Sequence, residues 1–600
     1  MHPKPRALLE HLGVLGAYAL LAVLLTYPLA FRLSTHLPGD GGDTNIFVWN
    51  LWWIKKALTE LRTSPFWTDY LFYPEGVSLI FHVLAPFRGL LGIPLQALFG
   101  LVAANNLMLL LSFTLSGYGT YLLIRSLGAH RHAAFIGGII FAFCPYKFAH
   151  LLGHFDLMST EWLPFYALAL VKLTDSPDKD RIGPPLCCAG LLLLIALSSH
   201  YYLFYALIFT GLFAAYRMRT RGFQAFWKRD RRGLATALGL FLIGYGPVLV
   251  LAWIELQGWR LEITHGRGGA TGFQADLLAF ITPSPLHTLL GPLVEPINAR
   301  FKGGIAEATV FVGYLPLGLA LVAIATLRRS EPWVRFWSLS LLAFFLLSLG
   351  PFPRILGHHV KPILLPYQLI MRAPILNNFR VPSRFDIMVM LCIAVLAAFS
   401  CDRLLKRVEG GVRRALVFLG IALTVAFEFL AIPFPTFSPS VPTIYERIAS
   451  EPGPFTVLQV PLGWRDGIRQ IGTFSPSFLS YQTVHENKIV GGYISRVPDA
   501  KIQALAARPL LQNILELQGT NLPTGAVHDR PDRTPLDDLA ALHVRYVIIH
   551  PPFTHSLVRD YVEKALPVTK ISEENGVVAF RVISQTGKVP LPLDSRPGSR

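Results

Sequence analysis

Apolar residues in this chain gather into long runs and seldom alternate with polar ones. Runs near 12–31, 102–124, 133–149, 161–174, 186–199, 203–217, 234–254, 308–327, 334–350, 386–402 and 414–432 approach the ~20 residues that carry an α-helix across a bilayer. The pattern predicts about eleven membrane-spanning helices, by count of those runs. The first run follows MHPKPR and ends in TYPLAF. It is too long for a signal peptide and lacks a small-residue cleavage site, so it reads as a retained span. The stretch 79–100 is apolar but broken by Pro86, Arg88 and Pro94. It reads as interfacial or re-entrant, a course tolerated only where protein or a cavity surrounds the backbone.

Beyond residue 433 the pattern changes. PFPTFSPSVP is a proline-rich linker. Strand-like runs follow at 455–462, 488–494, 544–550 and 577–583, with helical stretches such as PDAKIQALAARPLLQNIL and PLDDLAALH between them. Strands alternating with helices predict a small α/β domain over 434–600, after a transmembrane domain over 1–433. The final PLPLDSRPGSR reads as disordered.

Composition agrees with that division. Charged residues make up only 15% of the chain, against about 25% in soluble domains, and the deficit falls in the apolar runs. The net charge of +17 sits in short loops between them. Lys4 and Arg6 precede the first run. Arg125 and Arg131, then Lys172, Lys179 and Arg181, then Arg217 to Arg232, then Arg328, Arg329 and Arg335, and lastly Arg403, Lys406, Arg407, Arg413 and Arg414 fill every second loop. That places those loops and the N-terminus in the cytoplasm, and the C-terminal domain outside it. There is no basic tail and no nucleic-acid motif, so nucleic acid is excluded as a partner. The five cysteines lie in or beside apolar runs without metal spacing and read as apolar filler.

Candidate chemistry lies in the outward loops. The first reads LPGDGGDTNIFVWNLWWIKKAL. Asp40 and Asp43 follow the first span in a glycine-rich turn. A helix is expected from Thr44, with Asp43 as N-cap. Phe47, Trp49, Trp52 and Trp53 suit a helix lying at the membrane interface. Carboxylates there could hold a divalent metal, act as a general base, or simply cap the turn. The second turn carries His150, His154, Asp156 and Glu161. His150 and His154 are one helical turn apart, but nothing further completes a metal ligand set. Asp276 and His287 in the third loop are candidate substrate contacts, and the glycine-rich HGRGGATG nearby suits a mobile loop. It is not a P-loop. In the fourth loop Arg372, Arg380 and Arg384 are outward cations, against the charge rule. Arg380 and Arg384 suit a phosphate, since arginine binds it with a bidentate fork, or they anchor headgroups. Pro382 argues against a regular helix between them. His200, Tyr201 and Tyr202 read as an aromatic belt, and Glu428 as a lone acid deep in the last span. No carboxylate ladder or paired broken helices suggest an ion-coupled transporter.

GDGGDTNIFVWNLWW, LFYPEGVSLIFH, GHFDLMSTEWLPFY, ADLLAFITPSPLH and NNFRVPSRF resemble the GT-C glycosyltransferases, integral membrane enzymes that use polyprenyl-phosphate sugars. The resemblance covers most of the chain. It implies a polytopic α-helical GT-C-like domain with an extracytoplasmic C-terminal α/β domain in a bacterial plasma membrane. It implies transfer of a sugar from a polyprenyl-phosphate donor to an envelope glycan or lipid on the outer face. By position Asp43, then Asp40, would be catalytic, and Asp156 or Glu161 would be a second acid. The substrate would meet Arg380, Arg384, Asp156, Glu161, His154, Asp276 and His287. The metal-site pattern of some members is not clearly present, so no cofactor is expected, and a divalent metal is the only candidate. A flippase of lipid-linked saccharides, or a structural subunit of an envelope assembly, would share these features.

Overall fold

The computed structural model describes residues 5–175, 182–265, 268–361, 363–520, 534–574 and 576–583. Lys179, Arg181, part of the glycine-rich segment (Gly266, Arg267) and the end expected to be disordered lie outside them. The chain divides into two compact units, Met1–Asp40 with Ala85–Phe437, and Gly41–Leu84 with Ser438–Arg600. One division falls between Phe437 and Ser438, and most of the first outward loop joins the unit that holds the C-terminal residues.

In chain order the helices are α1 (Pro5–Leu25), α2 (Thr44–Lys55), α3 (Pro86–Phe99), α4 (Leu101–Ser126), α5 (Arg131–Ala142), α6 (Pro145–Leu151), α7 (Trp162–Asp175), α8 (Gly183–Ser198), α9 (His200–Arg221), α10 (Phe223–Arg229), α11 (Arg231–His265), α12 (Gly291–Asn298), α13 (Gly304–Ala308), α14 (Tyr314–Leu327), α15 (Pro332–Ser348), α16 (Tyr367–Arg372), α17 (Asp386–Arg407) and α18 (Gly411–Glu428). All but α2 belong to the first unit. The apolar runs of the sequence fold as helix. Among the described residues, five segments are long and apolar enough to cross a membrane: Leu8–Leu25, Leu101–Ser126, Arg131–Leu151, Arg231–Gly258 and Pro382–Arg407. Helices α8, α14 and α15 are apolar but shorter. The 79–100 stretch divides, and only α3 is helical. Its 14 residues reach about 21 Å, short of the ~30 Å hydrocarbon core.

Helix α17 is the axis of this unit. It is buried along most of its length and packs on α14, α5 and α15, as a helix apolar on every side must. Close approach elsewhere depends on glycine. A Cβ on Gly138 of α5 would lie 1.9 Å from the Tyr18 hydroxyl, and one on Gly117 of α4 would lie 2.6 Å from the Tyr18 ring. The Tyr18 hydroxyl donates to the Phe135 carbonyl at 2.9 Å. Glu428 is not an isolated charge: its carboxylate accepts from the Leu315 N–H at 3.1 and 3.2 Å, closing the first turn of α14.

Short antiparallel ladders join β1 (Leu37–Pro38) to β6 (Thr436–Phe437) and β4 (Arg354–Ile355) to β5 (His358–His359) in the first unit, and β2 (Trp67–Thr68) to β3 (Val77–Ser78) in the second. The second unit also holds α19 (Thr443–Ala449), α20 (Ser477–His485), α21 (Asp499–Ala506), α22 (Pro509–Leu517), α23 (Pro535–Ala541) and α24 (Ser556–Ala565). Its strands are β7 (Thr456–Val460), β8 (Gly463–Arg465), β9 (Gln470–Gly472), β10 (Lys488–Ile489), β11 (Gly492–Tyr493), β12 (Val544–Ile549), β13 (Val568–Glu574) and β14 (Val577–Val582). They form a five-stranded sheet, β10-β7-β12-β14-β13, and a three-stranded one, β11-β8-β9. Strands β10, β7 and β12 are parallel, and β14 and β13 continue antiparallel.

The first-loop segment is built into this unit. Helix α2 is buried from Thr44 to Ile54 and packs on α20. Trp49 Nε1 donates to Gln482 at 2.8 Å, Trp52 Nε1 to Glu486 at 3.2 Å and Trp53 Nε1 to the Pro65 carbonyl at 3.0 Å. The tryptophans are therefore core residues with satisfied N–H groups, not the interfacial row expected from the sequence. Lys56 pairs with Glu486 at 2.7 Å, and the Ile489 N–H donates to the Tyr70 carbonyl at 3.0 Å.

Candidate active site

Three short pieces of the first unit bring polar side chains together. Pro145 opens α6, where its missing N–H costs nothing, and this buried turn carries Tyr146, Lys147 and His150. Gly303 and Gly304, at φ 105° and 75°, make the sharp entry into α13 that only glycine takes without strain. Glu307 follows one turn later. Pro382 starts a 3₁₀ turn, Pro382–Phe385, which presents Ser383 and Arg384 just before α17.

Glu307 is the hub. Its Oε1 accepts from Arg384 Nε at 2.9 Å and Nη2 at 2.5 Å, and its Oε2 accepts from Ser383 Oγ at 3.1 Å. His154 Nδ1 lies 3.8 Å from Oε1. Burial alone would raise the Glu307 carboxyl, but the Arg384 guanidinium and the two histidines outweigh it and hold it at about 2. His154 Nδ1 also lies 3.0 Å from His150 Nδ1, a distance that requires one ring to lend a proton. The Arg384 guanidinium stacks over the Tyr201 ring at 4.6 Å, within cation–π range. Tyr201, read from sequence as part of an aromatic belt, is thus a partner of the site. Asp156 is buried nearby. Burial raises its carboxyl, against the opposing pull of Arg384 and His154.

A second polar layer lies behind. Lys147 Nζ donates to Ser112 Oγ at 3.2 Å and Ser116 Oγ at 3.0 Å. Ser112 Oγ reaches Glu161 Oε2 at 2.7 Å, so a buried lysine and a buried glutamate share one hydroxyl. Arg88 donates to the Phe155 carbonyl at 2.9 Å and to Asn105 Oδ1 at 2.7 Å, tying α3 and α4 to the His154 loop.

The other sequence candidates fall elsewhere. Arg380 stacks on Phe273 at 5.5 Å, so the two arginines serve different partners. Asp276 Oδ1 accepts from the Leu278 N–H at 3.1 Å and its Oδ2 from the Gly357 N–H at 2.8 Å. Both oxygens hold backbone. His287 Nδ1 accepts from the Leu289 and Leu290 N–H groups at 3.1 and 3.0 Å, which leaves Nε2 to donate to the Phe427 carbonyl at 2.7 Å. Asp40 is exposed just past β1 in the first unit. Asp43, in the second, occupies the N-cap position of α2, but its side chain makes no capping bond. It accepts from the Tyr493 hydroxyl at 2.9 Å. Burial, then the Asp43 charge, push that phenol upward.

Sequence reasoning missed Glu307 and Lys147. Glu307 is the sole acid between Glu295 and Glu331, set behind a glycine pair, and that isolation was its signal. Lys147 lies inside the third apolar run, where a lysine is costly unless it has partners.

The metal question can be put to these residues. His150, His154 and Glu307 offer ligand atoms within 4.8 Å of one another, and His150 Nε2 is buried without a partner. One fact opposes a resident dication. The Glu307 oxygen nearest the histidines already takes two N–H groups from Arg384. The donor set fits a proton-sharing network, not a divalent ion.

Residues 10–427 match the family model described as a domain of unknown function, DUF6311. The chain belongs to the DUF6311 family. A search of curated proteins returns no match for it. Among solved structures, this DUF6311 chain is similar to the arabinofuranosyltransferase AftD from Mycobacteria, with TM-score 0.56, 14% identity, and coverage of 95% of this chain and 40% of that one. It is also similar to the oligosaccharyltransferase AglB from Archaeoglobus fulgidus, with TM-score 0.50, 13% identity, and coverage of 98% and 76%. The DUF6311 chain thus spans about two fifths of the length of the arabinofuranosyltransferase. These structural neighbours are GT-C glycosyltransferases, and the DUF6311 chain shares their fold.

Proposed function

We propose that this DUF6311 protein is a membrane glycosyltransferase that moves a sugar from a polyprenyl-phosphate donor to an envelope glycan or lipid on the outer face of a bacterial plasma membrane. The observation that carries the reading is a half-buried, preorganised arginine, Arg384 held by Glu307 over Tyr201, on a fold shared with glycosyltransferases. The dolichol-phosphate bound to the archaeal oligosaccharyltransferase supports the donor class. As the sugar–phosphate bond breaks, negative charge grows on the leaving phosphate. A cation fixed beforehand stabilises that charge without reorganising. Glu307 takes donors from Nε and Nη2 of Arg384, which leaves the Nη1 group for phosphate. The histidine pair and Asp156 tune the local charge. Asp43 acts as base toward the acceptor hydroxyl, a role that rests on the family resemblance and on its place after the first span.

The test uses full-length protein in nanodiscs with radiolabelled polyprenyl-phosphate sugar and an envelope extract. The label is expected to pass to the acceptor as polyprenyl phosphate is released, and Arg384→Gln or Asp43→Asn should reduce this at least 100-fold, as loss of one transition-state donor does elsewhere, on the order of 10²–10³. Lipid that is moved intact, with no cleavage in the wild-type protein, would sink the proposal in favour of a flippase.

A further inference from the structure

A cavity of about 340 Å³ opens in the first unit among α1, α4, α5 and α18, at the low end of the ~300–1,000 Å³ usual for ligand sites. Gly13, Val14 and Ala17 of α1, with Phe135 of α5 and Phe418 of α18, give it apolar walls. Glu10, Tyr121, Arg131 and His132 line it as well. It is remote from the candidate active site. Arg131 begins α5, whereas His150 lies on α6, beyond the break at Phe143 and Cys144.

The walls and the charged residues differ in chemistry. Arg131 is exposed and His132 half-buried, and Arg414 and His130 lie close enough to act on His132 electrostatically. Glu10, the one acid in the lining, accepts a hydrogen bond from the Tyr121 hydroxyl at 2.9 Å. Among the described residues Arg131 has no ion-pair partner. Gly13 faces open space: a Cβ there would meet nothing within 4 Å. The groove is thus an apolar slot beside the guanidinium groups of Arg131 and Arg414, at the end of helices that cross a membrane. Basic pockets between transmembrane helices recognise anionic headgroups in this way, and acyl chains suit the apolar part.

We infer that this groove is a binding site for an anionic phospholipid, with one acyl chain between α1 and α18 and the phosphate on Arg131 and His132. The site is independent of the sugar-transfer reading. The test compares retention of phosphatidylglycerol and phosphatidylcholine by full-length protein, using native mass spectrometry after detergent exchange. Wild-type protein is expected to keep phosphatidylglycerol in preference to phosphatidylcholine. Arg131→Gln should weaken retention about fivefold, the effect of one basic residue near a membrane phosphate. Gly13→Phe fills the slot with the charge intact and should abolish retention. Glycerol phosphate, which lacks the chains, should not compete. Undiminished retention in either variant, or equal retention of phosphatidylcholine, overturns the assignment.

Discussion

At the scale of single residues, the decisive pair is Arg384 and Glu307. A buried ion pair contributes little net stability, but removing one partner strands a charge and costs ~3–5 kcal/mol. Glu307→Gln should therefore lower the melting temperature sharply, and adding Arg384→Met should restore much of it. Failure of the double variant to recover would mean that Glu307 acts through some other contact. The same carboxylate gives a pH signature. Its value in the fold, about 2, lies below its ordinary 4.5. The sign follows: its contribution is fully present above about 4.5 and is lost as pH falls toward 2. The full loss is about 3 kcal/mol, about 2 of it reached by pH 3, and melting curves at pH 5 and pH 3 should show that part in the wild type but not in the double variant. The donor set also predicts that EDTA leaves sugar transfer unchanged. Activity lost to EDTA and regained with one divalent ion would overturn that. These residues were only partly legible in the sequence. Arg384 and His154 were marked by type and position. Glu307 was not, because its meaning comes from folding α13 against α6 and the Pro382 turn.

At the scale of elements, helices were the most legible feature, since a span must be apolar over most of its length and its run survives in the sequence. Strands were harder. Strand β13 (VTKISEE) went unmarked because it is a solvated edge with mostly exposed positions, so burial imposed no apolar run on it. The N-cap at Asp43 was found in place, yet the carboxylate turned to Tyr493, a residue about 450 positions away that no local rule reaches. The packing of α1 on α5 makes its own prediction. With only 1.9 Å between a Cβ on Gly138 and the Tyr18 hydroxyl, Gly138→Val must displace Tyr18. A cost of about 1–3 kcal/mol is expected for such overpacking. Tyr18→Ala removes the side-chain obstacle and leaves the Gly117 carbonyl oxygen 2.7 Å from that Cβ, so the double variant should recover part of the loss and melt above Gly138→Val alone. Additive losses in this pair would show that the two residues do not share the contact.

At the scale of the whole molecule, the second unit constrains the topology of the first. Gly41–Leu84 and Ser438–Arg600 form one compact unit, with α2 enclosed by residues of the tail. Two segments of one folded body must lie on the same side of the bilayer. The chain between residues 84 and 438 therefore crosses the membrane an even number of times. The eleven or so spans expected from the sequence, the first preceding Gly41, would leave an even number after it, and the re-entrant reading of 79–100 keeps that parity, whereas a lone extra span there would break it. Loop charge predicts the direction: it puts the basic stretch from Arg217 to Arg232 in the cytoplasm and the unit holding Asp43 outside it. Reporter fusions read this directly. Alkaline phosphatase joined after Gly76 or after Ile583 should be active, and green fluorescent protein joined after Arg229 should fluoresce. If the two fusions within the second unit reported opposite sides, that unit could not form in the membrane, and the proposed outward site for Asp43 would fall with it.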